Sequence, residues 1–327
     1  MPRVVVFDGF GGPEVLRVVE EPVGEPAAGE VRVRIEAFAV NPLDGMLRSG
    51  AFPAIVPLPH ARLGVEGTGV VDAIGAGVAG LTAGDPIIIT AIPDAAARGS
   101  YAEYTTVPAN RVIPRPAGLD IAESAAIWVA YSTAYGALIE KAGMRPGDRV
   151  LITAASGGVG RAAIQVANQI GAVPIALTRS ATRKDELIAA GAAEVIATEQ
   201  TDVAEAVRET TGGIGADMAL DLVRGPGQQD LVNATRPGGT LVVAGFLDPR
   251  PTPFPMAAPL TIHSYRGFEH TLDDAVVARM AAFMNAGVRL GALRPAIGKV
   301  FGLDDVVEAH RLLEAGLHGG GKIVVAV

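Results

Sequence analysis

A glycine-rich segment follows directly after a short apolar run near the middle of the chain. The apolar run is 150–153, and the segment that follows contains Ala155, Ser156, Gly157, Gly158, Val159 and Gly160. Glycines at this spacing let a strand turn tightly into a helix and let the main chain come close to a pyrophosphate, which the first free N–H groups of the helix can bind. The segment therefore predicts a dinucleotide site, and a tight turn without a ligand is the alternative interpretation.

A cluster of cations and hydroxyls follows about twenty residues later, where the next predicted strand ends. No carboxylate occurs there before Asp185. Sites that prefer NADH commonly place an acidic side chain at this point, whereas Arg and Lys suit a 2′-phosphate. The cluster therefore favours NADPH, although Arg183 and Lys184 could instead form only the solvated first turn of a helix. The predicted coenzyme contacts in the cluster are Thr178, Arg179, Ser180, Arg183 and Lys184.

The order of predicted strands and helices along the chain indicates the elements that position these residues. The first third contains short Val- and Ile-rich runs separated by Gly and Pro, which favours a small barrel. From residue 148, predicted strands alternate with helices, as in a parallel sheet with right-handed crossovers. After about residue 265 the alternation stops, and the final strands could return to the barrel. We therefore expect a catalytic domain formed by 1–120 plus 265–327 and a dinucleotide-binding domain at 121–264.

Composition excludes several classes of function. The chain has 327 residues, a net charge of −8 and no cysteine, so disulfides, thiolate metal sites and a cysteine nucleophile are absent. An acidic chain is a poor partner for nucleic acid. No apolar run reaches the ~18 residues needed to span a membrane, and the N-terminus does not resemble a signal peptide. These observations predict a cytoplasmic protein with no membrane or nucleic-acid partner.

Five further segments, in chain order, resemble the medium-chain dehydrogenase/reductase superfamily and, within it, the zinc-free quinone oxidoreductases. The first four match that family's Asn-x-x-Asp, Gly-x-Glu-x-x-Gly-x-Val and Gly-x-Tyr-Ala-Glu-Tyr motifs and the helix that begins its nucleotide domain. The fifth matches its closing strand. The segments are 41–44, 64–71, 99–104, 125–135 and 321–325. The resemblance implies an α/β fold in which a Rossmann doubly wound parallel sheet is inserted in a GroES-like β-barrel catalytic domain.

Two departures from the wider superfamily narrow the expected chemistry. Zinc-dependent relatives carry a catalytic Cys in the first domain and a His at the position of Val65. This chain has neither residue, so no metal site is expected. Thioester-reducing relatives often place a Tyr near the Asn-x-x-Asp segment, whereas Val40 precedes Asn41 here and Phe52 lies in the following loop. Without a metal, hydride transfer to a conjugated acceptor such as a quinone or enone needs the least additional help.

The resemblance also assigns candidate roles around the reacting atoms. Asn41 could donate to the acceptor oxygen, or simply cap a turn before Pro42. Asp44 could take part in the reaction, or cap the helix that follows it. Tyr131 could bond the acceptor or a water, or pack in the core. Further coenzyme contacts implied by the resemblance are Thr133, Gly245, Phe246, Leu247 and Lys322.

Several alternatives stay open from the sequence. Glu66 lies in a β-run and is expected to be structural, and His310 is expected on the surface of an amphipathic helix. His318 and the other histidines show no metal-binding spacing. The main hypothesis is an NADPH-dependent quinone or enone reductase, expected to form a homodimer. An enoyl-thioester reductase and an NADPH-binding protein without turnover are the alternatives.

Overall fold

The computed structural model describes residues 1–255, 258–317 and 319–327, so His318 lies outside the described residues. The chain divides into two units. Unit 1 comprises Met1–Val129, Val277–Arg289 and Arg294–Val327, and unit 2 comprises Ala130–Val276 and Leu290–Leu293. No helix among the described residues is long and apolar enough to cross a membrane.

Fifteen strands occur in the described residues. They are β1 (Arg3–Val6), β2 (Arg17–Glu20), β3 (Glu30–Val40), β4 (Gly67–Ile74), β5 (Pro86–Ile89), β6 (Tyr104–Pro108), β7 (Val112–Pro114), β8 (Arg149–Ile152), β9 (Val173–Thr178), β10 (Glu194–Ala197), β11 (Ala216–Asp221), β12 (Thr235–Val243), β13 (Thr261–Ser264), β14 (Ile297–Gly302) and β15 (Lys322–Ala326).

The same residues contain ten α-helices, several of them a single turn long. They are α1 (Pro42–Ser49), α2 (Ala95–Arg98), α3 (Ile121–Tyr135), α4 (Gly158–Ile170), α5 (Lys184–Ala189), α6 (Val203–Thr210), α7 (Gln228–Ala234), α8 (Phe268–Thr271), α9 (Asp274–Arg289) and α10 (Val306–Glu314).

Unit 1 is built around the long strand β3. Its sheet runs β14-β15-β3-β4-β5-β7, and β6 also pairs with β3. All of these pairs are antiparallel except β14 with β15. Val31, Val33 and Ile35 recur at every second position of β3 and are buried in the core of the unit. This strand therefore carries the core on one face and leads directly into α1 and its Asn-x-x-Asp segment.

Unit 2 is a six-stranded parallel sheet in the order β10-β9-β8-β11-β12-β13. The chain starts at the central strand β8, builds outward through β9 and β10, and then returns to the other side of β8. Val150, Leu151 and Ile152 of β8 are all fully buried, as expected for a strand covered on both faces. The predicted Rossmann sheet and the α/β fold class are confirmed.

A long apolar segment contains a change of helix type. Residues 121–141 have helical spacing throughout, but α3 ends at Tyr135 and Gly136–Lys141 forms a π-helical turn. A Cβ atom at Gly136 would overlap the Tyr265 hydroxyl, so only glycine lets the chain pack so closely there. Hydrophobic periodicity does not report this local widening of the helix.

Candidate functional site

The glycine-rich segment forms the predicted turn from strand to helix. α4 begins at Gly158, with Gly157 in extended conformation as its N-cap. A Cβ atom at Gly160 would lie 2.5 Å from the Ala154 carbonyl oxygen and 2.6 Å from the Ala155 Cα atom. Gly160 is therefore the position at which the helix must pack against the turn, and no other residue fits there without moving main chain.

The start of α4 has the chemistry of an anion site. The first N–H groups of a helix have no partner within it, and α4 spans 13 residues with no acidic side chain in its first turn. Ser156, Gly157, Gly158 and Val159 are partly exposed, whereas Ala155 and Gly160 are buried. The turn therefore presents main-chain donors to solvent while its small buried residues hold the helix against the sheet, which fits a pyrophosphate group.

Hydrogen bonds join the loops at the carboxyl edge of the parallel sheet. Ala155 N donates to the Leu177 carbonyl at 3.2 Å, which links the glycine-rich turn to the end of β9. Leu222 N donates to Thr153 Oγ1 at 2.7 Å, which links β8 to the loop after β11. The structure thus brings the glycine-rich turn and the loops after β9 and β11 to one edge, where open α/β sheets bind ligands.

The basic cluster lies at the end of β9 and the start of α5. Thr178 is buried at the strand end, Arg179 and Lys184 are exposed, and Arg183 is partly exposed. The hydroxyls of Ser180 and Thr182 lie 2.7 Å apart. All of the cations predicted to contact a 2′-phosphate are therefore accessible at the same edge of the sheet.

Arg161 is a functional candidate that the sequence analysis missed. It follows Gly160, and its Nε atom donates to the Ser156 carbonyl at 3.0 Å. Its Nη2 atom pairs with Glu186 on α5, and Arg183 Nη1 lies 3.0 Å from the other Glu186 oxygen. A cation immediately after the last glycine of the turn was the available signal. Arg161 thus connects the glycine-rich turn to the basic cluster.

The segment 245–247 follows β12 at the same edge. Gly245 N donates to the Asp221 carbonyl at 3.1 Å, and a Cβ atom at Gly245 would overlap the Leu222 carbonyl. Phe246 and Leu247 are adjacent apolar side chains, 44% and 55% exposed. The segment therefore presents an apolar surface beside the loop that follows β11.

Tyr131 and Thr133 lie on the part of α3 that belongs to unit 2. The Tyr131 hydroxyl donates to Gln165 Oε1 at 2.6 Å, and its ring is buried. Thr133 is partly exposed, and a Cβ atom at Gly267 would lie 3.8 Å from its hydroxyl. Tyr131 is thus bonded to α4, while Thr133 lies close to the main chain at the start of α8.

In unit 1, Asn41, Glu66 and Lys322 form a buried polar group. Asn41 Nδ2 donates to the Ala39 carbonyl at 3.3 Å and to Glu66 Oε1 at 3.0 Å, and Asn41 Oδ1 accepts from Lys322 Nζ. Lys322 Nζ also lies 2.8 Å from Glu66 Oε1, and Val129 N donates to Glu66 Oε2 at 2.7 Å. Both amide hydrogens of Asn41 are therefore in use, and Lys322 is the counter-ion of Glu66.

A second buried chain of polar side chains begins at Asp44. Its carboxylate accepts from Asn41 N at 2.8 Å and from Gly64 N at 3.2 Å, and it interacts electrostatically with the buried Tyr101 side chain. Tyr101 Oη lies 3.2 Å from His310 Nε2, and His310 Nδ1 lies 2.9 Å from Arg48 Nη1. His310 lies on α10 and Arg48 on α1, and Arg48 Nη2 also lies 2.6 Å from Glu314 Oε1, so these side chains connect α1 with α10.

Arg48 fixes the direction of both bonds of His310. Arg48 can only donate, so His310 Nδ1 must accept and its proton must lie on Nε2. His310 Nε2 then donates to the Tyr101 oxygen. Burial, and then the nearby Arg48 guanidinium, lower the pKa of His310 to about 3. Burial raises the pKa of Asp44 to about 6 against its hydrogen-bond donors and Lys322, and it raises the pKa of Tyr101 well above its usual value.

The expectation that His310 is a surface residue is wrong. Its side chain is 1% exposed, on the same face of α10 as the buried Val306 and Ala309. A histidine on an amphipathic helix is polar and is therefore expected to be exposed. In the structure, Arg48 and Tyr101 form hydrogen bonds with both ring nitrogens of His310, so the side chain can be buried. Glu66, in contrast, is fully buried, in agreement with its expected structural role.

Metal-ligating side chains do not cluster in the described residues 1–255, 258–317 and 319–327. No group of three or more His, Asp or Glu side chains there is placed to hold a metal ion. The polar side chains of unit 1 bond instead to one another and to main chain.

Comparison with known proteins matches both parts of the chain. Residues 27–117 match the alcohol dehydrogenase GroES-like domain, and residues 158–286 match the zinc-binding dehydrogenase domain. A quinone oxidoreductase from Lama guanicoe is 30% identical over 99% of this chain and 97% of its own length.

Solved structures agree over the full length. A structure named as an NAD-dependent alcohol dehydrogenase is 35% identical, with a TM-score of 0.90 and 99% of each chain covered. A mycobacterial protein solved in complex with NADPH is 28% identical, with a TM-score of 0.87 and 100% of each chain covered. The chain therefore belongs to the medium-chain dehydrogenase/reductase superfamily, among its quinone oxidoreductase-type members.

Proposed function

We propose that the protein is an NADPH-dependent, zinc-independent reductase that transfers a hydride to a quinone or another α,β-unsaturated carbonyl compound. The observation that carries this proposal is the glycine-rich turn closed by Gly160, with a set of cations beside it at the same sheet edge. Quinone oxidoreductase relatives aligned along nearly the whole chain support the same activity.

The residues of this chain favour NADPH over NADH as the coenzyme. The 35% identical structure is named as NAD-dependent, whereas the 28% identical mycobacterial protein was solved with NADPH. At the end of β9 this chain has Thr178 and Arg179 where an NAD site commonly has an acid. Arg183 and Arg161 add two guanidinium groups close by, which favours a coenzyme with the additional phosphate.

Each part of the coenzyme has candidate contacts in unit 2. Residues 155–160 would hold the pyrophosphate, and 178–184 would hold the 2′-phosphate. Thr133 and residues 245–247 are the proposed contacts for the nicotinamide part. The contact expected of Lys322 stays a prediction, since its ammonium group is bonded to Asn41 and Glu66 within unit 1.

NADPH supplies the hydride, and the protein has to align the acceptor and exclude water. A conjugated acceptor spreads the incoming charge onto an oxygen, so it does not depend on a Lewis acid. The exposed Phe246 and Leu247 side chains offer an apolar surface suited to a flat, weakly polar acceptor such as a quinone.

We further propose that the three residues expected to be catalytic act by positioning. Both amide hydrogens of Asn41 are already donated, so it has none left for an acceptor oxygen. Asp44 accepts from Asn41 N and Gly64 N and fixes the start of α1. Tyr131 bonds to Gln165 and in this way ties α3 to α4. In this proposal, the oxyanion left by hydride transfer takes its proton from water in a later step, so no protein side chain has to exchange a proton in the same step.

A homodimer is part of the same proposal. β13 is the last strand of the parallel sheet, and its outer edge carries main-chain groups that could pair with the same strand of a second copy. Light scattering behind gel filtration would measure the assembly, and a monomer at micromolar concentration would exclude the dimer. The cytoplasmic location expected from the sequence stays a prediction.

The decisive experiment separates the three readings of the sequence. NADPH oxidation is followed with a quinone, with a small enone and with crotonyl thioester, and NADPH binding is titrated separately. We expect oxidation with the quinone or the enone to exceed that with the thioester. Faster thioester reduction would favour the enoyl-thioester alternative. Tight NADPH binding with no oxidation by any acceptor would favour a binding protein without turnover.

A further inference from the structure

Three charged side chains of unit 2 meet between the glycine-rich turn and α5. Arg161 Nη2 pairs with Glu186 Oε1, and Arg183 Nη1 lies 3.0 Å from Glu186 Oε2. One carboxylate therefore joins two guanidinium groups, one from the first turn of α4 and one from the basic cluster. Arg161 is also fixed from behind, because its Nε atom donates to the Ser156 carbonyl at 3.0 Å.

The two arginines need an anion between them. The Arg161 side chain is only 11% exposed, and its pKa is lowered by burial and then by the nearby Arg183. Two like charges in a partly buried place repel each other, and an anion within reach of both offsets this repulsion. Glu186 is such an anion, because its two carboxylate oxygens pair with the two guanidinium groups.

Glu186 is the member of the group that can leave. Its side chain is 42% exposed and lies in the first turn of the short helix α5, whereas Arg161 is nearly buried. Ion pairs of exposed carboxylates contribute little, because water replaces the lost partner. A phosphate carries more charge and three acceptor oxygens, so it would compete effectively for the same guanidinium groups.

We propose that Glu186 occupies the place of the coenzyme's 2′-phosphate, and that Arg161 and Arg183 exchange the one anion for the other when NADPH binds. This inference rests on the proposed NADPH-dependent function and makes it more specific. Arg161 becomes the inner half of the phosphate site, and Glu186 becomes an internal competitor. The preference for NADPH over NADH is then set by the difference between a phosphate and a carboxylate at these two arginines.

Glu186 could have the opposite role and favour NADH. The two roles predict different changes in coenzyme affinity when Glu186 is removed. A carboxylate close to the adenosine ribose can accept from the 2′-OH, which would favour NADH. If Glu186 did this, its removal would weaken NADH binding. If it competes with the phosphate, its removal strengthens NADPH binding and leaves NADH nearly unchanged.

The experiment measures binding without turnover. NADPH and NADH are titrated by fluorescence, and adenosine 2′-monophosphate and adenosine 5′-monophosphate by calorimetry, on the full chain and on Arg161→Met and Glu186→Gln. Arg236→Met is a matched control, because Arg236 pairs with Asp217 at the amino end of β11, at the opposite edge of the sheet. Thermal unfolding of each variant checks that it is folded.

The expected result is a change in discrimination. Arg161→Met should weaken NADPH and the 2′-monophosphate about 10-fold or more, as for the loss of a charge-assisted hydrogen bond, with less than about a threefold effect on NADH and the 5′-monophosphate. Glu186→Gln should strengthen the two 2′-phosphate ligands by about 3- to 10-fold at low salt. Arg236→Met should change none of the four affinities.

Two results would overturn the inference. One is an equal effect of Arg161→Met on NADPH and NADH, which would make Arg161 a structural link between α4 and α5. The other is weaker NADH binding by Glu186→Gln. If Arg161→Met does not fold, the sign of the Glu186→Gln effect on NADPH decides alone. Wild-type protein that binds neither dinucleotide would refute the proposed function itself, whereas intact NADPH binding with unchanged discrimination refutes only the exchange.

Discussion

Replacing His310 with glutamine should change how the stability of the protein responds to acid. His310 is 1% exposed, accepts from Arg48 through Nδ1 and donates to Tyr101 through Nε2. Glutamine has an oxygen that can accept from Arg48 and an amide that can donate to Tyr101, but it does not titrate. The variant therefore keeps the bonds and removes the titrating group.

The size of the effect follows from the pKa of His310. This pKa is lowered from 6.5 to about 3. Between these two pH values, His310 is protonated in the unfolded chain but not in the folded chain. Stability from this group is complete above the unfolded pKa and is lost as the pH falls, at about 1.4 kcal/mol per pH unit. Between about pH 7 and pH 5, the free energy of unfolding should fall by ~2 kcal/mol on account of His310.

Asp44 acts in the opposite direction and hides part of this loss. Its pKa is raised from 3.8 to about 6, so the folded chain binds more protons than the unfolded chain between these values. Over the same pH range Asp44 should add ~1.3 kcal/mol as the pH falls. The wild-type protein should therefore lose little stability between about pH 7 and pH 5, whereas His310→Gln should gain some.

Urea unfolding at about pH 7, 6 and 5, followed by far-UV circular dichroism, gives the required comparison. The difference between wild type and His310→Gln should move by ~2 kcal/mol in favour of the variant as the pH falls. Two stability curves that stay parallel over this range would refute the reasoning. They would mean that His310 takes up its proton in the folded state and that the bond from Arg48 is not maintained.

Three further changes test other parts of the structure. Gly160→Val should abolish binding of NADPH and NADH alike, because its side chain would force the turn away from α4; retained binding in a titration would contradict the packing argument. Changing the three cations of residues 178–184 to alanine together should weaken NADPH at least about tenfold more than NADH, and equal losses would contradict the phosphate site. Lys322→Met leaves Glu66 buried without its counter-ion and should cost about 3–5 kcal/mol in urea unfolding, partly recovered by adding Glu66→Gln. No recovery in the double variant would mean that Lys322 stabilises the fold by packing.

Local signals in the sequence were enough for the parts of the fold that depend on neighbouring residues. The turn at 154–160 needs glycines at fixed spacing after a strand, and strand, turn and helix are all encoded within about twenty residues. The alternation of strands and helices likewise fixes a parallel sheet, because a crossover connection must pass over the face of the sheet. The π-helical turn after Tyr135 was not predictable from periodicity, and Tyr265, which packs against its first residue Gly136, is far away in the sequence.

The buried polar side chains of unit 1 show more clearly which contacts sequence periodicity does not predict. His310 bonds to Tyr101 and Arg48, which lie 209 and 262 positions away in the sequence. Periodicity assigns each of these residues to an element but does not say which polar side chains will meet, so a buried histidine looks the same as an exposed one. The role of Arg161 was not predicted for a related reason, because its partner Glu186 is 25 positions away on another helix.

The two buried polar groups of unit 1 meet at the start of α1, and this explains the spacing of the Asn-x-x-Asp segment. Asn41 is the N-cap of α1 and Asp44 is the third helical residue, so the Asp44 carboxylate can reach back to Asn41 N at 2.8 Å. Asn41 binds Glu66 and Lys322 through its side chain, while Asp44 accepts from Asn41 N and Gly64 N. A spacing of three is the one that lets neighbouring residues on one helical turn serve both groups. A loss of reductase activity on changing Asn41 or Asp44 therefore has to be compared with the stability of unit 1 before either is called catalytic, because each change removes hydrogen bonds within a buried polar group.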